Sequence, residues 1–146
     1  DVLEWIANTV TRIQQHTDRK IIIRSHPGDK KAPIYLAKRQ NHPLAHFSNI
    51  ELSPPGRTLD QDLQGAWAVV NHNSSAAVGP IKRGYHAFLT DPTDSQCKEV
   101  VNVDFSKIET PQTFDRLQWL RRISMFHWNF AELRSGACWR HMREFI

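Results

Sequence analysis

Two short polar segments, about fifty residues apart, carry the side chains of this chain that are best suited to chemistry. The first, Arg24 to Gly28, follows the apolar run Ile21 to Ile23, and the second, Asn71 to Ser75, follows Ala68 to Val70. Imidazole and hydroxyl groups donate hydrogen bonds to phosphate oxygens, and an imidazole also titrates near neutral pH. Together the two segments predict a site for a phosphate or diphosphate.

His26 and Gly28 are the candidates on the first segment, and Ser74 and Ser75 are those on the second. The imidazole would contact the anion and the glycine would allow close approach, while the serines begin a predicted helix whose free N–H groups favour negative charge. Each motif alone also fits a structural role, because turns end strands and serines cap helices. The combination favours a phosphate site, since both segments follow predicted strands at the end where α/β sheets bind ligands.

Arg24, Arg57 and Asn73 are supporting candidates. Arg57 follows a Pro-Pro-Gly loop, from which its guanidinium can reach a phosphate or a base carbonyl. An exposed loop arginine without such a role fits this position equally well. Asp60 and Asp62, in the helix that follows, are expected to complement the helix dipole.

No metal or other cofactor is predicted. His42 and His46 are four residues apart and His72 lies on the second segment, but none of them stands in a zinc-protease motif or beside a cysteine cluster. Cys97 and Cys138 form no Cys-x-x-Cys pair, so a reducing cytoplasm is the expected compartment. The chain also lacks a P-loop, a Gly-x-Ser-x-Gly elbow and a Gly-x-Gly-x-x-Gly fingerprint, which argues against kinase, hydrolase and dinucleotide-binding classes.

Alternating helical and strand patterns predict an α/β fold, specifically a Rossmann-like three-layer sandwich with a mostly parallel sheet, followed by C-terminal helices. Helices are predicted over 2–16, 32–40, 58–65 and 75–82, and strands over 20–24, 50–52, 66–71 and 85–89. The run Ile21 to Ile23 is expected to be buried on both faces of the sheet. Residues 1–146 would form a single domain, with an α/β core to about residue 110 and closing helices over 111–146.

Local end signals accompany two of these helices. Thr58 and Gln61 have the spacing of a capping box, and Gly84 is expected to terminate the helix that follows Ser75. Gly79-Pro80 falls inside that helix and is expected to kink or shorten it.

The overall composition narrows the class of protein. The chain has 146 residues, of which 40% are apolar and 23% charged, as in an ordinary globular domain. No stretch approaches the roughly eighteen apolar residues of a membrane span. The net charge of +4 suits an anionic ligand without implying nucleic acid. The acidic start has no signal-peptide pattern, and the missing initial Met indicates a processed product or a fragment.

The two segments resemble the HP and SS motifs of bacterial sialyltransferases and of capsule-polysaccharide transferases of the GT-B type. His26-Pro27 after a strand matches the first motif, and Ser74-Ser75 before a helix matches the second. The stretch from Arg57 to Phe88 is similar to the nucleotide-sugar half of such enzymes, and Trp119 to Gly136 to the helical segment that closes it. The resemblance covers most of residues 20–136.

The resemblance implies the donor-binding domain of a glycosyltransferase. His26 would be catalytic, because with Ser74 and Ser75 it would hold the phosphate of the departing nucleotide, supported by Arg24 and Gly28. The donor would be a CMP-, CDP- or UDP-linked sugar, the acceptor a glycan or another polymer, and no metal ion would be needed. GT-B enzymes have two Rossmann-like domains, so the chain would be a fragment without its N-terminal acceptor domain and inactive alone.

Other classes of function stay open at this point. The chain can be a non-enzymatic α/β binding module for a nucleotide, a nucleic acid or a protein partner, or a scaffold in which both motifs are structural. Binding to a polynucleotide weakens steeply with salt, whereas a pocket for one nucleotide depends on base identity. For the leading hypothesis we expect a cytoplasmic location, with the inner membrane surface as a variant, and no transmembrane segment.

Overall fold

The computed structural model describes residues 2–26, 28 and 49–145. Helix α1 (Val2–Gln14) is followed by strands β1 (Ile21–Ile23) and β2 (Ile50–Leu52). Next come helix α2 (Leu59–Leu63), strand β3 (Ala68–Asn71), a 3-10 helix (Ser75–Ala77), helix α3 (Val78–Arg83) and strand β4 (His86–Leu89). A second 3-10 helix (Phe105–Lys107) and helices α4 (Arg116–Ser124), α5 (Phe130–Arg134) and α6 (Ala137–Met142) complete the chain. The helix predicted over 32–40, together with Pro27, His42 and His46, lies outside the described residues.

The strands form two parallel pairs, β1 with β2 and β3 with β4. Asn102 extends the second pair, since its N–H donates to the carbonyl of Ala87 at 2.8 Å and its own carbonyl accepts from Leu89 at 3.0 Å. A mixed α/β architecture with parallel strands is therefore confirmed. The described strands do not form the single continuous sheet of a clear three-layer Rossmann sandwich, because the two pairs are not hydrogen-bonded to each other.

One face of α1 packs on the first strand pair. Ile6, Ala7 and Val10 lie three and four residues apart, on one side of the helix, and are buried with Ile23 and Ile50. The helix predicted over 2–16 is confirmed by this burial, although it ends two residues earlier.

A second buried cluster connects the two strand pairs. Ile13 of α1, Phe88 of β4 and Phe105 are buried in it, and the two phenylalanine rings lie 5.5 Å apart. Ile21 of β1 and Val70 of β3 pack against this cluster. Both strand pairs therefore share an apolar core within residues 1–114.

The expectation that Ile21 to Ile23 are buried on both faces is wrong. Ile23 is buried, but Ile22, whose side chain points to the opposite face, is 36% exposed. Successive side chains alternate across a strand, so only one face of β1 is covered within the described part of the chain.

The predicted helix ends are confirmed. Thr58 accepts a hydrogen bond from the Gln61 N–H at 3.2 Å, and the Gln61 side chain accepts from the Thr58 N–H at 2.8 Å, which is the capping box of α2. Gly84 ends α3 with a φ of 102°. The helix expected over 75–82 is divided at Val78, and Pro80 falls in the first turn of α3, where its missing N–H costs no helical hydrogen bond.

Residues 115–146 form a second compact unit, which contains the C-terminal helices α4 to α6. Asp115 caps α4 by accepting a hydrogen bond from the Leu117 N–H at 3.0 Å. Asn129 and Glu132 form a capping box at the start of α5. Side-chain caps at α4 and α5 satisfy some of the N–H groups that the first turn of a helix leaves without partners, whereas α6 follows Gly136 without a side-chain cap.

Candidate functional site

Polar side chains follow each of the four described strands at its carboxyl end. Arg24 to His26 follow β1 and Ser53 follows β2, while His72 to Ser75 follow β3 and Thr90 follows β4. The strands of a parallel pair point the same way, so these groups lie at one edge of each pair, where α/β proteins bind ligands. We call the residues that follow the carboxyl ends of β1 to β4 the carboxyl edge, and they form the candidate functional site.

His26 is exposed, and Gly28 sets the role of its ring nitrogens. The Gly28 N–H donates to Nδ1 of His26 at 3.0 Å. Because Nδ1 is the acceptor, the neutral ring carries its proton on Nε2, which is then the donor for a ligand oxygen. A Cβ atom on Gly28 would lie 3.2 Å from the same Nδ1, so a side chain here would require the imidazole to shift by a few tenths of an ångström.

Ser74 and Ser75 are exposed at the start of the 3-10 helix. The Ser74 hydroxyl oxygen accepts from the Ala76 N–H at 3.1 Å and caps this helix, but its proton remains available to a ligand. The Ser75 hydroxyl has no hydrogen-bond partner among the described residues. Asn73, which precedes them, is exposed as well. Capping and ligand binding are therefore compatible at Ser74.

The supporting candidates Arg24 and Arg57 meet at the carboxylate of Asp62. Nη1 of Arg24 lies 2.8 Å from Oδ2 of Asp62 and also donates to the Arg57 carbonyl at 2.7 Å. Ser53 donates to the same Oδ2 at 2.6 Å. Nε of Arg57 lies 2.9 Å from Oδ1 but is not aligned for a hydrogen bond, so this buried oxygen has a charge partner without a donor among the described residues.

The Asp62 side chain is only 7% exposed, and its environment favours the charged form. Burial alone would raise its pKa, but the hydrogen bonds from Ser53 and Arg24 and the charge of Arg57 outweigh burial, so the pKa is lowered from 3.8. The expectation that Asp62 serves mainly the helix dipole therefore missed its principal contacts. Two guanidinium groups and one carboxylate leave a net positive charge at the ends of β1 and β2.

His72 and Thr90 form a polar cluster at the ends of β3 and β4 that the sequence reasoning missed. Oγ1 of Thr90 accepts from the indole Nε1 of Trp5 at 2.8 Å and lies 2.8 Å from Nδ1 of His72. The Trp5 and His72 rings are 6.0 Å apart in an edge-on arrangement. Their position in the sequence could have identified these residues, because Ser53 and Thr90 directly follow strands, as the segment that contains His26 does.

Replacing Thr90 with valine is expected to release His72, because the variant keeps the shape but removes the hydroxyl that both rings contact. Removal of the hydroxyl also leaves the Trp5 indole without its acceptor, which should lower the free energy of unfolding by about 1 kcal/mol. Long-range ¹H–¹⁵N spectra of His72 and urea unfolding measure the two effects. Thr113→Val, at an exposed position, is the matched control; equal His72 spectra in wild type and Thr90→Val would contradict the contact.

The structure brings some of the predicted site residues together and leaves others apart. His26 contacts Gly28, and Arg24 contacts Arg57, but no described hydrogen bond joins His26 to Ser74 or Ser75. In the described part, no group of three or more His, Cys, Asp and Glu side chains is close enough to hold a metal ion.

Two surface hollows are lined by residues outside the carboxyl edge. One is lined by residues 126–129 and 132, and the other is lined mainly by residues 101–104.

No family model matches the chain, and comparison with curated proteins and with solved structures finds no match. Among the helices described, none has the length and apolar character needed to cross a bilayer.

Proposed function

We propose that this chain is the nucleotide-sugar-binding domain of a glycosyltransferase. The observation that carries the proposal is the exposed His26 imidazole, whose Nδ1 is occupied by the Gly28 N–H so that Nε2 is the free donor. The hydroxyls of Ser74 and Ser75 stand at the corresponding end of β3. Imidazole and hydroxyl donors of this kind suit the phosphate of a nucleotide.

The packing of the strands supports a ligand position between β1 and β3. Ile21 of β1 and Val70 of β3 pack against the same buried cluster, and each strand has its other side occupied by a parallel partner. In a sheet with the strand order β2-β1-β3-β4, the connection after β1 runs to β2 on one side of β1, and those that follow run to β3 and β4 on its other side. The gap between β1 and β3 is then the topological switch point, where doubly wound proteins bind nucleotides. We include this Rossmann-like three-layer arrangement in the proposal.

The proposed chemistry is stabilisation of the leaving nucleotide. As the bond between the sugar carbon and the phosphate oxygen breaks, negative charge grows on that oxygen, while an oxygen of the acceptor bonds to the sugar. His26 Nε2–H and the Ser74 and Ser75 hydroxyls would donate to the departing phosphate, and such donors lower the barrier because they bind the developing charge more strongly than the ground state. The net positive charge at Arg24 and Arg57 would also stabilise the negative charge on the departing phosphate.

The proposal extends to the partners of the domain. The donor would be a CMP-, CDP- or UDP-linked sugar and the acceptor a glycan or another polymer. A second, N-terminal domain would bind the acceptor and supply the base, so the 146-residue chain would bind nucleotide without turnover. The reaction would take place in the cytoplasm.

Calorimetric titration with CMP, CDP, UDP, GDP and ADP tests this function. We expect one pyrimidine nucleotide to bind, and His26→Ala and the double variant Ser74→Ala/Ser75→Ala each to weaken it by about 10- to 100-fold, since a hydrogen bond to a charged group contributes about 1.5–3 kcal/mol. Ser74→Asp should also abolish binding while the 3-10 helix stays capped, because aspartate is a good cap but repels phosphate.

His16→Ala and Ser106→Ala are the matched controls, since they remove the same groups at positions outside the two motifs. Both controls should bind as the wild type does. The proposal is overturned if the folded wild-type chain binds none of the five nucleotides at millimolar concentration, or if the His26 and Ser74/Ser75 variants bind as tightly as the controls.

A further inference from the structure

Most of the net positive charge of the chain belongs to residues 115–146. This unit contains six arginines, no lysine and three carboxylates, so it carries +3 of the net +4 of the whole chain. Residues 1–114 have nearly balanced charge. The arginines lie along all three helices of the unit and in the turn after the last one, at 116, 121, 122, 134, 140 and 143.

The same unit exposes large apolar side chains. Seven of the twelve exposed large apolar residues in the described part of the chain belong to it. Four of them are aromatic and 60–80% exposed: Phe126, Phe130, Trp139 and Phe145. Neither α5 nor α6 contains a buried residue, so these rings do not supply an internal core.

Arginines and exposed apolar side chains alternate along the helices. Arg134 lies one helical turn after Phe130, on the same face of α5, whereas Arg140 directly follows Trp139 in α6 and donates to the Ser135 carbonyl at 2.8 Å. The side chains of Arg121, Arg134 and Arg143 make no ion pair or hydrogen bond with the rest of the described chain. Arg134, which is free to pair with an outside anion, therefore stands beside the exposed ring of Phe130.

We propose that residues 115–146 bind single-stranded nucleic acid, independently of the nucleotide-sugar site. Exposed aromatic faces stack on unpaired bases, while arginines between them pair with the phosphates that link those bases. A duplex would use only the arginines, because its base faces are already stacked. A bilayer fits less well, since an interfacial helix keeps one continuous apolar face, and here charges interrupt short helices of five to nine residues.

A shallow hollow gives the surface a place for a base. It is lined by Phe126, His127, Trp128, Asn129 and Glu132. The Glu132 carboxylate and the Asn129 side-chain oxygen are engaged in the cap of α5, at 2.8 and 2.9 Å from their N–H donors. The groups left for a ligand there include the exposed Phe126 ring and the amide N–H₂ of Asn129, while the Trp128 ring packs 5.3 Å from that of His141.

Fluorescence anisotropy on the full 146-residue chain tests the proposal, with labelled oligo-dT and oligo-U as probes. The probes have about twenty nucleotides, which exceeds the roughly 4–16 nucleotides of a typical single-strand site. Binding should weaken as salt rises from about 50 to 200 mM. The triple variant Arg121→Gln/Arg134→Gln/Arg143→Gln should bind more weakly and reduce the salt slope by about 2, because each phosphate that a single strand pairs with contributes about 0.7 to the slope. Phe130→Ala and Trp139→Ala should each weaken binding by about 5- to 150-fold, the effect expected when one base is no longer stacked.

The matched control is Lys82→Gln/Lys98→Gln/Lys107→Gln, which removes three positive charges from residues 1–114 and should bind within about twofold of wild type. A duplex of the same length should bind more weakly than the single strand, and its binding should not respond to Phe130→Ala. The proposal is overturned if the folded wild type does not bind the oligonucleotides at the lower salt concentration. It is also overturned if the arginine triple variant binds like the control, or if Phe130→Ala and Trp139→Ala bind as tightly as the wild type. Binding to phosphatidylserine vesicles without binding to the oligonucleotides would assign the surface to a membrane instead.

Discussion

Replacing Phe88 with alanine is expected to lower the free energy of unfolding by about 3–5 kcal/mol. Its ring is fully buried, packs 5.5 Å from that of Phe105, and lies with Ile13 of α1 in the cluster that connects the two strand pairs. The truncation removes buried apolar surface and leaves a cavity, and the two costs add. Urea unfolding followed by circular dichroism measures the destabilisation, which is a large fraction of the stability of a typical domain.

Phe130→Ala is the matched control for this prediction. The Phe130 ring is 80% exposed, so the same truncation should change stability by less than about 0.5 kcal/mol. A similar destabilisation in both variants would contradict the assigned core. The control also shows that the variant used in the nucleic-acid experiment is folded, so that weaker binding there reports on the surface.

Replacing Asp62 with asparagine is expected to cost about 2–4 kcal/mol of folding stability at pH 7. The carboxylate is buried, and its removal leaves Arg24 and Arg57 without their counter-charge; breaking a buried pair from one side costs about 3–5 kcal/mol, reduced here because both guanidinium groups are partly exposed. Asp60→Asn, on the same helix, breaks an exposed pair with Arg83 and should change stability little. Equal destabilisation in the two variants would contradict the central role of Asp62.

The effect of Asp62 should depend on pH in a defined direction. Its pKa is lowered in the folded chain from the ordinary value of 3.8, so the folded state binds this proton less readily than the unfolded state. Its contribution is therefore complete above pH 3.8 and disappears as the pH falls through the lower folded value. Urea unfolding at about pH 7, 5, 4 and 3 should show the wild type and Asp62→Asn converging only below about pH 4. A constant difference across this range would contradict the assigned ionisation.

The local features of this chain could be predicted because they depend on neighbouring residues. The capping box at Thr58, the glycine that ends α3 at Gly84 and the helical spacing of Ile6 and Val10 are each decided within one or two turns of chain. The carboxyl-edge position of His26 and Ser74 also follows, since each adjoins a strand that its own composition predicts.

Contacts between distant segments could not be predicted. Asp62 meets Arg24, 38 residues earlier, and Thr90 meets Trp5, 85 residues away. Both pairings depend on how α1 and the strands pack. The same limit explains Ile22, because three consecutive isoleucines show that a strand forms but not how many of its faces are covered.

The sequence by itself determined that helices and strands alternate, roughly where most of the described ones lie, and which polar groups follow the strands. Only the tertiary structure decided that Arg24 and Arg57 share the Asp62 carboxylate, that Thr90 contacts both Trp5 and His72, and that four aromatic rings of residues 115–146 are exposed. The physical reason is the range of the interactions. Propensity, capping and periodicity act over a few residues, whereas burial and ion pairing depend on which segments the folded chain brings together.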